Sequence, residues 1–435
     1  MIITLFYEIA LFFLALLALP KFLYQWLFHN KYQKSFKNRL GGGFPPIDKH
    51  GTRVIWIHAV SVGETLAVTA LAKRIKEEYP DSILIVSTTS ETGQAEARRS
   101  LAFANHFVYL PFDFGFIIKP ILKKANPDLL ILCESDFWLN FMQAAKKQDA
   151  QIALVNGKLS AASAKRFGWV SPFSKRLFSL IDHLFIQSSD YDKRFAELGI
   201  AKEKRTITGN MKFDVAHPAL SLEEKNDLKT KLGLKEGDRL LVVGSCHDSE
   251  EQLVLDALEP LWGQFPSLKI IFVPRHPERF ATVYQLLQRQ KYPSGRFSEA
   301  PLDPQTKLIL IDAMGLLRKC YQLADLALVA GSYTPKVGGH NITEPCWYGV
   351  PVIYGPFMHT QKELVTLMKS YQAGLQIPPE ALTETIQRLL TSFAERQKLG
   401  ENGLKLVSEA NGATEKTWQG IKKMLSGKIV QKPLA

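Results

Sequence analysis

Short runs of Val, Ile, Leu and Phe recur along this chain, most ending in a polar or glycine-bearing loop that opens an amphipathic stretch. That alternation constrains the fold more than any other feature. After the linker at 41–46 (GGGFPP) it predicts strands at 54–60, 82–87, 107–110, 129–133, 152–155, 183–186 and 206–208, with helices such as 64–78 and 91–101 between them. A second series predicts strands at 240–243, 269–273, 307–311, 326–329 and 352–354. Strands apolar on both faces and separated by helices belong to parallel sheets covered on both sides. A chain of 435 residues exceeds one ordinary core, so two doubly wound, Rossmann-like α/β domains are expected. They are placed at 41–215 and 216–425, with the polar stretch 216–237 at the boundary, helices over 379–425 and a basic tail at 426–435 carrying Lys428 and Lys432.

The N-terminus is apolar from Ile2 to Leu19, broken by Glu8. As a helix this stretch rises ~27 Å against a hydrocarbon core of ~30 Å, so it either spans or lies in the interface. Lys21, Phe22, Tyr24, Trp26, Lys31, Tyr32, Lys34, Phe36, Lys37 and Arg39 follow, the composition of an interfacial belt on the cytoplasmic side. A cleaved signal peptide fits poorly, because no basic residue precedes the run and no A-x-A site follows it. Residues 1–40 are therefore read as a membrane-anchoring segment. The net charge of +12 implies an anionic partner: nucleic acid, anionic lipid or a phosphorylated substrate. Cys133, Cys246, Cys320 and Cys346 are scattered without zinc spacing, which fits buried thiols in a reducing compartment.

The chemistry-bearing residues gather where the strands end. The stretch 331–355, GSYTPKVGGHNITEPCWYGVPVIYG, reads as a nucleotide pocket or as a glycine-rich turn before a well-capped helix. In the first reading Gly338 and Gly339 let backbone amides approach a ligand. His340, Asn341 and Thr343 open a helix suited to an anion, and Glu344 accepts from hydroxyls such as those of a ribose. Glu64, after the first strand, is placed either as a general base or as a simple complement to a helix dipole. Glu134 and Asp136 form an E-x-D pair, either a metal-binding motif or a helix cap. Asn156 with Lys158, and Lys212 in GNMKFD, set lysines beside turns, where they either meet a phosphate or face solvent. In the second half, Ser245 and His247, then Arg275 and His276 between prolines, then Met314 and Gly315, follow successive strands. P-loop, zincin, α/β-hydrolase and dinucleotide signatures are absent from the sequence.

HAVSVGE, GNMKFD, VPRHPER and GGHNITEPCWYGVPVIYGP, together with the N-terminal anchor, resemble the 3-deoxy-D-manno-octulosonic acid (Kdo) transferases of Gram-negative lipopolysaccharide synthesis, from residue 1 to about 425. The resemblance implies a GT-B fold, two Rossmann-like domains facing a central cleft, and inverting transfer of Kdo from CMP-Kdo to a lipid A precursor at the cytoplasmic face of the inner membrane. It implies Glu64 as general base, Glu134 and Asp136 as the family's acidic pair, and Ser245, Arg275, Gly315, Asn341 and Glu344 where the family binds CMP, with His247 beside the nucleotide by motif position. Asn156, Lys158 and Lys212 are read with the acceptor side, and His276, Met314, Gly338 and Gly339 with the donor side. No metal or other cofactor is implied, and the positive charge is assigned to phosphorylated acceptor and anionic membrane lipid, with no nucleic acid. Ser135, Asp136, Phe137 and Leu139 depart from the family's E-T-E-L-W-P pattern, and Thr360 stands where an Asn is expected. The alternatives are another GT-B enzyme using a UDP-sugar and a lipid acceptor, or a non-catalytic adaptor for anionic lipid.

Overall fold

Side chains buried on both faces hold the first sheet together. In the computed structural model, which describes residues 2–29, 35–214 and 218–426, its strands are β1 (Val54–His58), β2 (Ile83–Thr88), β3 (His106–Tyr109), β4 (Leu129–Cys133), β5 (Gln151–Gly157), β6 (His183–Ile186) and β7 (Arg205–Ile207). The second sheet contains β8 (Arg239–Cys246), β9 (Leu268–Pro274), β10 (Ser294–Arg296), β11 (Leu308–Leu310), β12 (Leu326–Val329), β13 (Val352–Tyr354) and β14 (Gly374–Gln376). Their orders are β3-β2-β1-β4-β5-β6-β7 and β10-β11-β9-β8-β12-β13-β14, parallel throughout. In register, Ile55 lies between Leu84 and Leu129. These are two Rossmann-like sheets of the GT-B type. The strand order reverses between β1 and β4, and again between β8 and β12. The crevice beyond the strand carboxyl ends at such a point is where doubly wound sheets bind ligands.

The edge strands β10 and β14 were not predicted. Each has three residues and a glycine, too short to carry a period-2 pattern; they form because a neighbouring strand offers its free edge.

Contacts divide the chain into a unit of 1–215 with 410–435 and a unit of 216–409. The expected second domain running to 425 is thus corrected at its end, because helix Ala413–Ser426 returns to the first unit. There Trp418 and Ile421 join Ile57, Leu71, Ile131 and Met211 in the core on one face of the sheet. Gly420 makes the close approach possible: a Cβ there would stand 2.1 Å from the ring of Phe185. Asp214 fixes the return by accepting from Gly412 N (2.7 Å) and from Thr414 N. The other face of the sheet buries Trp56, Ile118, Phe141, Leu154 and Phe178.

The N-terminal helix runs Ile2–His29. Its stretch Ile2–Tyr24, 23 residues, is long and apolar enough to cross a membrane. Glu8, which breaks the apolar run, is one of the residues by which this helix meets the first unit: it accepts from Gly115 N (2.8 Å) and Asn140 Nδ2 (2.9 Å). Lys31, Tyr32 and Lys34 of the interfacial belt, and Lys428 and Lys432 of the tail, lie outside the described residues.

Candidate active site

At the end of β1, Ser61 caps helix Val62–Glu78 by accepting from Glu64 N (3.3 Å). The Glu64 carboxylate folds back to accept from Val60 N (2.9 Å) and Ser61 Oγ (3.1 Å), closing the turn. Burial holds its pKa above the usual carboxylate range; the Val60 N–H works the other way and the negative Glu134 adds to the rise. Glu64 therefore caps its helix and is also a proton acceptor of heightened basicity.

Glu134, in left-handed conformation (φ 62°) after β4, is buried. It pairs with Lys212 Nζ (2.6 Å) and with Lys158, and Asn156 Nδ2 reaches it at 3.4 Å. Burial pushes this carboxyl up, but the two ammonium groups outweigh that and hold it below the usual range. Burial likewise opposes the charge on Lys158, and Glu134 outweighs it, keeping the ammonium more basic than a free lysine. Asn156 accepts from Met211 N (3.0 Å), tying the end of β5 to the loop that bears Lys212. Lys212 Nζ comes within 3.9 Å of where a Cβ on Gly63 would stand, at the start of the Glu64 helix. The structure thus gathers Glu64, Glu134, Asn156, Lys158 and Lys212 at the β1/β4 reversal. Both lysines remain partly open to solvent.

Asp136 does something else. Its Oδ2 accepts from His58 Nε2 (2.7 Å) and from Trp138 Nε1 (2.7 Å). Because a carboxylate only accepts, the buried His58 carries its proton on Nε2 when neutral, leaving Nδ1 to accept from Ser87 Oγ (2.9 Å). Trp56 Nε1 in turn donates to Ser87 (2.8 Å). Both expectations for the E-x-D pair are corrected. The two carboxylates take separate partners rather than sharing a ligand, and helix Leu139–Lys146 takes its acceptor from Asp113, which receives Asn140 N (3.0 Å) and Phe141 N (2.7 Å). Sequence reading missed His58 and Asp113. Only a buried polar residue in an apolar strand signalled the first, and nothing local signalled the second.

In the second unit the loops after β8, β9 and β12 meet. Glu250, buried at the head of helix Glu250–Leu258, accepts from His247 N (3.0 Å), Gly331 N (2.7 Å) and Tyr333 N (2.9 Å), clamping the β8 loop to the β12 loop. It too was missed, because two of its three partners lie 81 and 83 residues away. His247 Nε2 is 2.7 Å from His340 Nε2 with the rings stacked, and His276 stands edge-on to His247 with ring centres 5.3 Å apart. Burial, reinforced by His247, Arg275 and His276, lowers His340 to about 4; burial and His276 lower His247. Both imidazoles are neutral at pH 7, so across that contact one nitrogen donates and the other accepts. Of the two arginines in VPRHPER, Arg279 is committed to Glu251 (2.6 and 3.1 Å), while the exposed Arg275 makes no ion pair among the described residues. Burial raises Glu344, with Arg318 (3.5 Å) and Arg275 opposing the rise. Ser245 (φ 58°), the last residue but one of β8, is in left-handed conformation. Met314 is exposed, and Gly315 (φ 84°) has open space where a Cβ would stand, but the contacts place neither of them in the histidine cluster.

Two expectations for 331–355 are corrected. The amides of Gly338 and Gly339 are already bonded to Thr334 O (3.4 Å) and Gly331 O (2.8 Å). A Cβ would stand 2.5 Å from His359 Nε2 at Gly338 and 2.3 Å from Met358 Sδ at Gly339, so glycine is required here by loop packing. The expected helix is a four-residue 3₁₀ turn, Pro345–Tyr348, ended by left-handed Gly349. Asn341 spends its Oδ1 on Thr343 N (3.1 Å) and Thr343 Oγ1 (2.7 Å). Thr360, the departure from the family pattern, donates to Gly338 O (2.7 Å) and so serves the same loop.

A sequence profile described as 3-Deoxy-D-manno-octulosonic-acid transferase (kdotransferase) matches residues 34–215. The chain is 35% identical over 412 residues to the 3-deoxy-D-manno-octulosonic acid transferase of Chlamydia muridarum, covering 94% of this chain and 95% of the relative. The Haemophilus influenzae protein of the same name is 32% identical, with 86% and 88% covered. Among solved structures, a glycosyltransferase from Rickettsia africae superposes with a TM-score of 0.59 at 16% identity, covering 87% of this chain and all (100%) of that one, a likeness of fold alone.

Proposed function

The chain belongs to the 3-deoxy-D-manno-octulosonic acid (Kdo) transferase family and is a glycosyltransferase; on that premise we propose how its residues divide the transfer of Kdo from CMP-Kdo to a lipid A precursor. The first unit takes the acceptor. Glu64 removes the proton from the attacking hydroxyl, which adds to the anomeric carbon of Kdo with inversion as the bond to the CMP phosphate breaks. Lys158 and Lys212, held by Glu134, face the acceptor's phosphates, and Asp136 keeps His58 and Trp138 in place beside them. The second unit takes the donor. Arg275 meets the phosphate that gains charge as it leaves, and Glu344 accepts from the ribose. His247 and His340 offer a neutral donor–acceptor pair next to it. The N-terminal helix holds the enzyme at the cytoplasmic face of the inner membrane, where anionic lipid matches the net positive charge.

The observation that carries this reading is Glu64. It is a carboxylate raised by burial, at the topological reversal of its sheet, close to the two lysines that Glu134 anchors. Mass spectrometry of a lipid A precursor incubated with CMP-Kdo and the protein tests it. Addition of one or more Kdo masses with CMP release is expected, and an unchanged acceptor overturns the assignment. Thermal shift with CMP against UDP separates the UDP-sugar alternative, CMP being expected to stabilise more.

A further inference from the structure

The N-terminal helix touches the catalytic fold along one stripe. Thr4, Tyr7, Glu8 and Leu11 are partly covered, at helical spacing, while Ile2, Leu5, Phe6, Ile9, Phe12 and Phe13 are exposed. Ile3, Phe22 and Trp26 are partly covered as well, so the stripe is mixed, but it holds three polar side chains where a lipid anchor has least reason to carry them. Tyr7 donates to Asp113 Oδ2 (2.8 Å) and its ring stacks on Phe173 (5.7 Å). Thr4 bonds Gln143, and Glu8 bridges Gly115 N and Asn140 Nδ2. Asp113 and Asn140 are both buried.

These contacts fall on the starts of two helices, Gly115–Ala125 and Leu139–Lys146, neither of which has a side-chain cap from its own flanking residue. Glu8 supplies the acceptor for the first. Asp113, held by Tyr7, supplies it for the second. Leu139–Lys146 begins directly after Trp138, whose indole fixes Asp136 Oδ2 opposite His58. We propose that the N-terminal helix is a positioning part of the acceptor site as well as an anchor: Tyr7 and Glu8, through Asp113 and Asn140, set the loop of Glu134, Asp136 and Trp138. Without them Asp113 and Asn140, both buried, each lose a partner and the start of Gly115–Ala125 loses its acceptor, while the start of Leu139–Lys146 keeps an Asp113 no longer held by Tyr7; the strain falls on that loop. Burial lifts Asp113 to about 7, with Tyr7 and the amides of Asn140 and Phe141 opposing and Glu8 adding, so loss of the Tyr7 hydroxyl would raise this carboxyl further.

The activity arm of the test rests on the function proposed above; the exchange arm does not. In the full-length protein, Tyr7→Phe and Glu8→Ala are compared with Glu8→Gln, which keeps an acceptor for Gly115 N, and with Phe13→Ala on the exposed face. Kinetics are measured in mixed detergent micelles, where attachment to a bilayer is not required. Tyr7→Phe and Glu8→Ala are expected to lose on the order of tenfold in kcat over acceptor KM. CMP affinity stays at the wild-type value, and Glu8→Gln and Phe13→Ala behave as wild type. Amide hydrogen exchange over 134–142 should quicken in the same two variants alone. Wild-type kinetics and exchange in both variants, or an equal loss in Phe13→Ala, overturn the proposal. A wild-type protein that transfers no Kdo removes the functional reading, and the exchange result still decides whether the helix sets the loop.

Discussion

Glu64 carries two duties that pull in different directions. As a cap it keeps the turn after β1 closed; as a buried carboxylate it is more basic than the same group in water. Glu64→Gln keeps an acceptor for the Val60 N–H but removes the proposed base. Transfer should fall by about 10²–10⁴-fold, with CMP affinity within about twofold of wild type. The base must be ionised, so kcat should rise with pH through a limb displaced above the ordinary carboxylate range, and Glu64→Gln should erase that limb. Stability carries the opposite sign. A carboxyl raised in the folded state contributes fully below its unfolded pKa and loses that contribution as pH rises through the folded value. Unfolding profiles should therefore show Glu64→Gln gaining on wild type as pH rises and losing the gain at low pH. Arg275 is exposed and makes no ion pair among the described residues; it acts on Glu344 through its charge and not through a direct contact. Arg275→Ala should weaken CMP by about 1.5–3 kcal/mol in calorimetry and leave the melting temperature of the unliganded protein unchanged; a shift there would mark it as structural.

At the scale of the element, the β8 and β12 loops act as one body because Glu250 binds three backbone amides drawn from both of them. The 338–339 glycines are part of this packing. Gly339→Ala puts a methyl against Met358 and into a left-handed backbone conformation (φ 94°), and should cost about 1–3 kcal/mol in denaturant unfolding, lowering CMP affinity with it. Strand ends and loop chemistry were legible because both are local: an apolar run, then Gly, Ser, His or Arg. The role of each polar group was not. Asp136 depends on a histidine 78 residues away, and Glu134 on lysines supplied by two other loops. The E-x-D motif therefore looked like a metal pair or a cap and is neither.

Over the whole molecule, the last described helix, Ala413–Ser426, lies with the first sheet. Gly420→Leu should disrupt the seat of Ala413–Ser426 on Phe185 and lower the stability of the first unit by about 1–3 kcal/mol, with CMP binding by the second unchanged. Loss of CMP binding would show the two units to be energetically inseparable. The sequence by itself determined the α/β class, the two Rossmann-like sheets, the apolar N-terminal helix and the family, since each rests on short-range periodicity or a contiguous motif. Only the tertiary structure decided that the last helix belongs with the first sheet, that Glu8 and Tyr7 dock the anchor on Asn140 and Asp113, and that His340 sits against His247. Those pairings join residues roughly a hundred or more positions apart, and what selects them is the burial and hydrogen-bond satisfaction of particular atoms, which no local pattern encodes.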